Sequence, residues 1–114
     1  MSSVAVRLVV VEKDGAAPTA MSPGDAIEFH VERSKPIVIG RAPGNDVVVS
    51  APSVGRRVVQ ISFPQEGLWV EDLGSGGGSA LEVDGVRTER PGCRCPDQAV
   101  LWIGGVGFRV EFRV

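Results

Sequence analysis

An all-β fold, either two packed sheets or a small closed barrel, is what this sequence predicts, on three observations. Short stretches of apolar and polar residues in alternation recur along the chain, separated by Gly, Pro and Asp clusters. No window of useful length carries the 3.6-residue apolar repeat of a helix. Fifteen Gly and eight Pro, with no low-complexity run, supply the many turns such a fold needs. Periodicity alone does not choose between sandwich and barrel.

The elements follow in order. Residues 4–12 (VAVRLVVVE) are apolar and β-branched and predict a first strand. Residues 13–25 read as a turn-rich connection. Over residues 26–32, Ile27, Phe29 and Val31 alternate with Glu28, His30 and Glu32, the mark of a half-buried strand. Residues 36–41 and 47–50 predict two short strands, with the turn PGND between them. Residues 57–63, 68–72 and 81–83 follow. Asp84-Gly85 is the strongest hairpin signal and leads to a strand over 86–88. Residues 91–97 (PGCRCPD) read as loop. An apolar strand over 99–103 precedes a last one, where Phe108, Val110 and Phe112 alternate with Arg109, Glu111 and Arg113.

Length and composition bound the possibilities. Residues 1–114 fit a single domain, and 43% hydrophobic content is enough for one packed core. A net charge of −2 and a pI near 5.3 argue against a general nucleic-acid binder. No apolar run approaches the ~20 residues of a membrane span. The N-terminus lacks the pattern of a signal peptide, so a cytoplasmic location is expected. Cys93 and Cys95 are too close for an unstrained disulfide and read as reduced loop thiols. With His30, the only histidine, they fall short of the four ligands of a structural zinc site. No metal or cofactor is therefore expected. His30 lies on the polar face of its strand, remote in sequence from both thiols, and no nucleophile–base–orienter set assembles. No catalytic residue is assigned, and the chain is not expected to be an enzyme. Trp69 and Trp102 both fall within strands. Packing accounts for a buried tryptophan, and an exposed one would be a candidate contact residue.

The most informative region spans residues 39–79. IGR stands at 39–41, Asn45-Asp46 follows, then PSVGRRV at 52–58 and DLGSGGGS at 72–79. In order and spacing this resembles the forkhead-associated (FHA) domain, whose pattern is roughly IGR…ND…SVSRxH…DLxSxNGT. The resemblance is clearest over residues 36–114. It implies a two-sheet antiparallel β-sandwich of the FHA type, with phosphothreonine read by loops at one end.

What the resemblance implies for the site is mixed. A phosphothreonine brings about −1.5 to −2 charges and three strong acceptor oxygens, so it needs a fixed cation and several neutral donors. Arg41 stands where the family places its phosphate-contacting arginine. It reads either as that contact or as a brace between loops. Gly40 suits a close backbone approach, and Asn45-Asp46 suit a turn bonded to neighbouring backbone. Arg56 matches the arginine of the SRxH motif, while Gly55 replaces its serine and Val58 its histidine. Ser75 matches DLxS, and Ser79 keeps a turn-closing hydroxyl. Gly76 and Gly77 stand in place of the threonine and the peptide-reading asparagine. The candidate phosphate- or partner-binding residues are thus Arg41, Arg56, Ser75 and Ser79. The degenerate positions are Gly55, Val58, Gly76 and Gly77. Read as a nucleotide loop, GSGGGS lacks the GK[ST] ending, and no helix follows it.

The expectation is a protein-interaction module with weak or absent phosphothreonine binding, similar to scaffolding or regulatory domains of bacteria. Its partner would be a protein, with or without phosphorylation on threonine, and with neither nucleic acid nor a membrane span involved. The alternative is a working phosphothreonine reader that uses Arg41, Arg56 and Ser75.

Overall fold

Period-two patterning turns one face of each strand toward a shared interior. In the computed structural model, which describes residues 3–13, 21–65, 67–76 and 78–113, the strands stack as two sheets. The described residues form β1 (Ser3–Lys13), β2 (Ala26–Glu32), β3 (Ile37–Gly40), β4 (Val47–Val48), β5 (Val59–Gln65) and β6 (Gly67–Asp72). They continue with β7 (Ser79–Val83), β8 (Val86–Glu89), β9 (Gly92–Cys95), β10 (Val100–Ile103) and β11 (Val106–Phe112). One sheet runs β2-β1-β11-β10-β7-β8 and the other β4-β3-β5-β6-β9. All pairings between named strands are antiparallel except β3 with β4. This is the antiparallel sandwich that the sequence implies. Part of the expected 13–25 connection, residues 14–20, lies outside the described residues.

The core sits between the sheets. Val4, Val6, Leu8 and Val10 of β1 join Leu81, Leu101, Ile103, Phe108 and Val110. They face Ile37, Ile39, Val59, Ile61, Phe63, Leu68 and Val70 of the other sheet. Two hairpins close as the turn chemistry requires. Asp84 and Gly85 have φ of 51° and 80°, and Gly104 and Gly105 have 53° and 84°. Positive φ at both central residues is the geometry whose twist matches the flanking strands.

One expectation needs correcting. PGCRCPD holds a strand: β9 pairs with β6, with Cys93 opposite Val70 and Cys95 opposite Leu68. The cysteines alternate with Arg94, so both turn inward and the arginine outward. Between Pro91 and Pro96 the run is so short that its alternation is hard to hear. Both cysteines are free thiols. Burial, with smaller contributions from Cys93 and Asp97, pushes the Cys95 thiol up from 9.0 to about 12. Because the folded value is raised, this thiol's contribution to stability is full below 9.0 and is lost as pH climbs toward 12. Ellman's reagent at pH 8 should therefore find Cys95 unreactive in the native protein, and both thiols reactive after denaturation.

The two tryptophans part company. Trp69 projects from the outer face of its sheet and is 40% exposed. Trp102 also points outward, between the inward-facing Leu101 and Ile103, yet only 8% of it is exposed. Gly107, its cross-strand partner, leaves room for the ring: a Cβ there would come within 3.1 Å of it. The Arg87 guanidinium lies 5.0 Å from the ring centroid, a cation–π contact. Gly107→Val should displace the indole and cost about 1–3 kcal/mol by overpacking. In a Trp69→Phe background, denaturation followed by the remaining indole would read this as a lower midpoint and red-shifted native emission.

Candidate functional site

Strand direction gathers the informative loops at one end. β3, β6 and β10 finish there, and β5, β7 and β11 begin there. Contacts between loops complete the arrangement. Ser53 Oγ donates to the Gly104 carbonyl at 2.7 Å, and the Arg90 amide donates to the Ser79 carbonyl at 2.9 Å.

Gly40 ends β3 directly beneath the loop that carries Arg56. Its missing Cβ is a matter of space: an added Cβ would run into the Arg56 carbonyl and lie 2.8 Å from Asn45 Nδ2. That carbonyl accepts from Asn45 Nδ2 at 2.6 Å and from the Ala42 amide at 3.1 Å. Asp46 Oδ2 accepts from the Val38 amide at 2.9 Å. Asn45 and Asp46 thus bond neighbouring backbone, the role their turn chemistry suggests. Arg41 Nε donates to the Val54 carbonyl at 3.0 Å, while the residue as a whole stays exposed. The same side chain therefore ties the loop and presents charge to solvent.

The 49–58 segment is held from below by apolar burial. Val49, Ala51, Val54 and Val58 are all buried, Val58 completely. The Val58 amide donates to the Ile39 carbonyl, and its own carbonyl accepts from the Leu73 amide. Core packing does here what a hydrogen-bonding side chain would do at this position. Arg56 and Arg57 project from the segment, exposed and without an ion pair to any described residue.

Gly55 is the centre of the arrangement. A Cβ on it would run into the Gly76 carbonyl and Ser75 Oγ and would lie 2.9 Å from Ser75 Cβ. The loop after β6 therefore packs directly on the loop before β5. Ser75 is half-buried in this contact, and Gly76 is exposed. Gly77 lies outside the described residues. Ser79 is 7% exposed, and its hydroxyl donates to Asp72 Oδ1 at 2.6 Å, closing the turn. Asp72 is a hub whose role sequence reading left unassigned. Its other oxygen accepts from the Gly74 amide at 2.9 Å and lies 3.4 Å from Arg90 Nη1. The signal was present: an Asp two residues before a Gly, here with φ of 78°, is the signature of an Asx turn.

Arg41, Arg56, Gly55, Ser75 and Gly76 are thus brought together at one end of the sandwich. The family model of the FHA domain matches residues 37–104, more than half of the chain. The chain belongs to the FHA domain family. FHA domains are protein-interaction modules that usually bind phosphothreonine peptides. Solved structures agree on the fold. The FHA domain of the CT664 protein from Chlamydia trachomatis is similar at a TM-score of 0.68 and 22% identity, covering 96% of this chain and 99% of that one. An Arabidopsis thaliana FHA domain gives 0.69 and 22%, covering 100% and 90%. Mycobacterium tuberculosis EmbR, in complex with a low-affinity phosphopeptide, gives 0.66 and 19%, covering 95% of this chain and 24% of that one. A comparison with curated proteins finds no match. Among the described residues no helix is long and apolar enough to cross a membrane, and no group of three or more His, Cys, Asp or Glu is placed to hold a metal.

Within this FHA domain, the packing at Gly55 and the Arg41 tie are open to direct measurement. Gly55→Ser should lower stability by about 1–3 kcal/mol, because the new side chain must push the Ser75–Gly76 backbone aside. Arg41→Ala should cost about 1 kcal/mol for its hydrogen bond to Val54. Arg57→Ala, the surface control, should stay within about 0.5 kcal/mol of wild type. Urea denaturation of the three variants is the check. Equal midpoints throughout would remove both structural roles.

Proposed function

We propose that this FHA domain is a non-catalytic protein-interaction module with weak or absent affinity for phosphothreonine. Its setting would be a scaffolding or regulatory role in the cytoplasm of a bacterium. The observation that carries this reading is the contact at Gly55. At the position of the family's serine there is neither a hydroxyl nor space for one, because Ser75 and Gly76 fill it. The family's threonine position is Gly76, which has no side chain to offer. Hydrogen bonds to a charged group are worth about 1.5–3 kcal/mol each. Losing two of them weakens binding by roughly two to four orders of magnitude. Arg41 and Arg56 keep positive charge at this end, and charge alone attracts anions without selecting phosphothreonine.

A second reading rests on the same loops. Arg41, Arg56 and Ser75 lie together, and a phosphothreonine reader would use all three. Calorimetry against a phosphothreonine peptide library separates the two readings. The expected outcome is no low-micromolar binder that loses affinity on dephosphorylation. In a pull-down, partner capture should survive phosphatase treatment of the lysate; capture that phosphatase abolishes would favour the second reading.

A further inference from the structure

We infer that the loop tip carrying Arg56 and Arg57 receives an unphosphorylated acidic segment of a partner protein, bound in extended form. This rests on the reading of the domain as a phosphate-independent module and names the chemistry of its partner.

The first support is where unpaired positive charge lies. Arg7 pairs with Glu28 and Glu111, Arg87 with Glu89, Arg90 with Asp72, and Arg109 with Glu111. Arg33 donates to the Gln65 carbonyl and covers the Phe63 ring, Arg94 is engaged, and Arg41 is tied to Val54. Among the described side chains, Lys35, Arg56, Arg57 and Arg113 have no partner, and Arg41, though tied to the Val54 carbonyl, has no ion pair and adds its charge at the loop end. Lys35 and Arg113 lie at the opposite end of the sandwich, by the β2–β3 turn and beyond the end of β11. Arg56 and Arg57 are neighbours on the loop tip. The aspartates of the adjoining loops form no ion pair with them. Asp46 is bonded to the Val38 amide, and Asp72 to Ser79, Gly74 and Arg90. In a chain of net charge −2, the tip is where an anionic segment meets attraction, and this orients its approach.

The second support is the shape of the tip. A phosphate needs several donors converging on one point, and a donor side chain at residue 55 is excluded because Ser75 and Gly76 fill the space its Cβ would need. What remains exposed there includes two adjacent cations, Arg56 and Arg57. Carboxylates spaced along an extended backbone match that arrangement better than one compact dianion does. The floor beside them is bare: at Gly74 and Gly76 a Cβ would meet nothing within 4 Å. A partner backbone can therefore approach closely. Nucleic acid fits less well, since its affinity grows with the number of phosphates neutralised and the tip offers few cations.

Fluorescence anisotropy of the full chain tests this with four labelled probes. They are a Glu-Gly repeat peptide, its Gln-Gly counterpart, a phosphothreonine peptide with neutral flanks, and a single-stranded oligonucleotide of equal charge. The Glu-Gly peptide should bind and weaken with added salt, and the Gln-Gly peptide should not bind. Arg56→Glu with Arg57→Glu should weaken binding roughly tenfold or more, and Lys35→Glu should leave it unchanged. Circular dichroism checks the fold, with Arg56→Gln/Arg57→Gln as the milder pair. Silence of the Glu-Gly peptide, indifference to both arginine pairs, or tighter binding of the oligonucleotide overturns the acidic-segment assignment alone. Tighter binding of the phosphothreonine peptide overturns that assignment and the phosphate-independent reading together.

Discussion

The loop end of this domain depends on the passage of the Arg56 carbonyl over Gly40. The oxygen takes two hydrogen bonds, from Asn45 Nδ2 and the Ala42 amide, and it occupies the space a Cβ of residue 40 would need. Glycine is required there for contact, not for an unusual φ. Any side chain at 40 would lift the 53–58 segment. It would also draw Val54 and Val58 out of the core, because both belong to the same buried cluster. Backbone approach, side-chain capping and apolar burial therefore hold or fail together, so the loops that bear the candidate site form part of the folded core.

The departures from the family pattern are coupled in the same way. A histidine at 58 would need partners for its ring nitrogens, and an unsatisfied buried polar group is destabilising. Valine needs none, and it fills the site completely. Glycine at 55 then lets the loop after β6 close against the loop before β5. The result is an end stabilised by packing where the family pattern calls for a hydrogen-bonded pocket. Restoring one side chain does not restore the pocket, because the neighbouring loop already occupies its place. Gly55 marks the point where the loop after β6 packs directly on the loop before β5.

How much of this could be read from the sequence differs by distance along the chain. Strands with long alternation, such as residues 26–32 and 108–113, announce themselves, because period two is a local property. Asp84-Gly85 is equally local, since positive φ at both central residues is a demand that Asp-Gly meets. β9 is harder: its four residues alternate, but flanking prolines and two cysteines make them look like loop. The burial of Trp102 depends on Gly107, a residue on the neighbouring strand, and on Arg87 two strands away. Neither is visible from the LWI triplet itself. The missing ligand at Gly55 is legible as a missing hydroxyl. That the space is filled is not legible, because Ser75 and Gly76 arrive from a separate loop some twenty residues on.

Charge completes the argument, because pairing decides which surface is electrostatically available. On the outer face of the six-stranded sheet, Arg7, Glu28, Glu111 and Arg109 form a connected chain of ion pairs. Exposed pairs of this kind contribute little stability, yet each removes a cation from the set that a partner could engage. Among the described residues, Arg56 and Arg57 have no such partners, and the adjoining carboxylates of Asp46 and Asp72 hold turns. Turn formation and charge display are thus linked. With Asp46 and Asp72 directed at turn amides and the Ser79 hydroxyl, no described carboxylate forms an ion pair with Arg56 or Arg57 at the end where the loops converge.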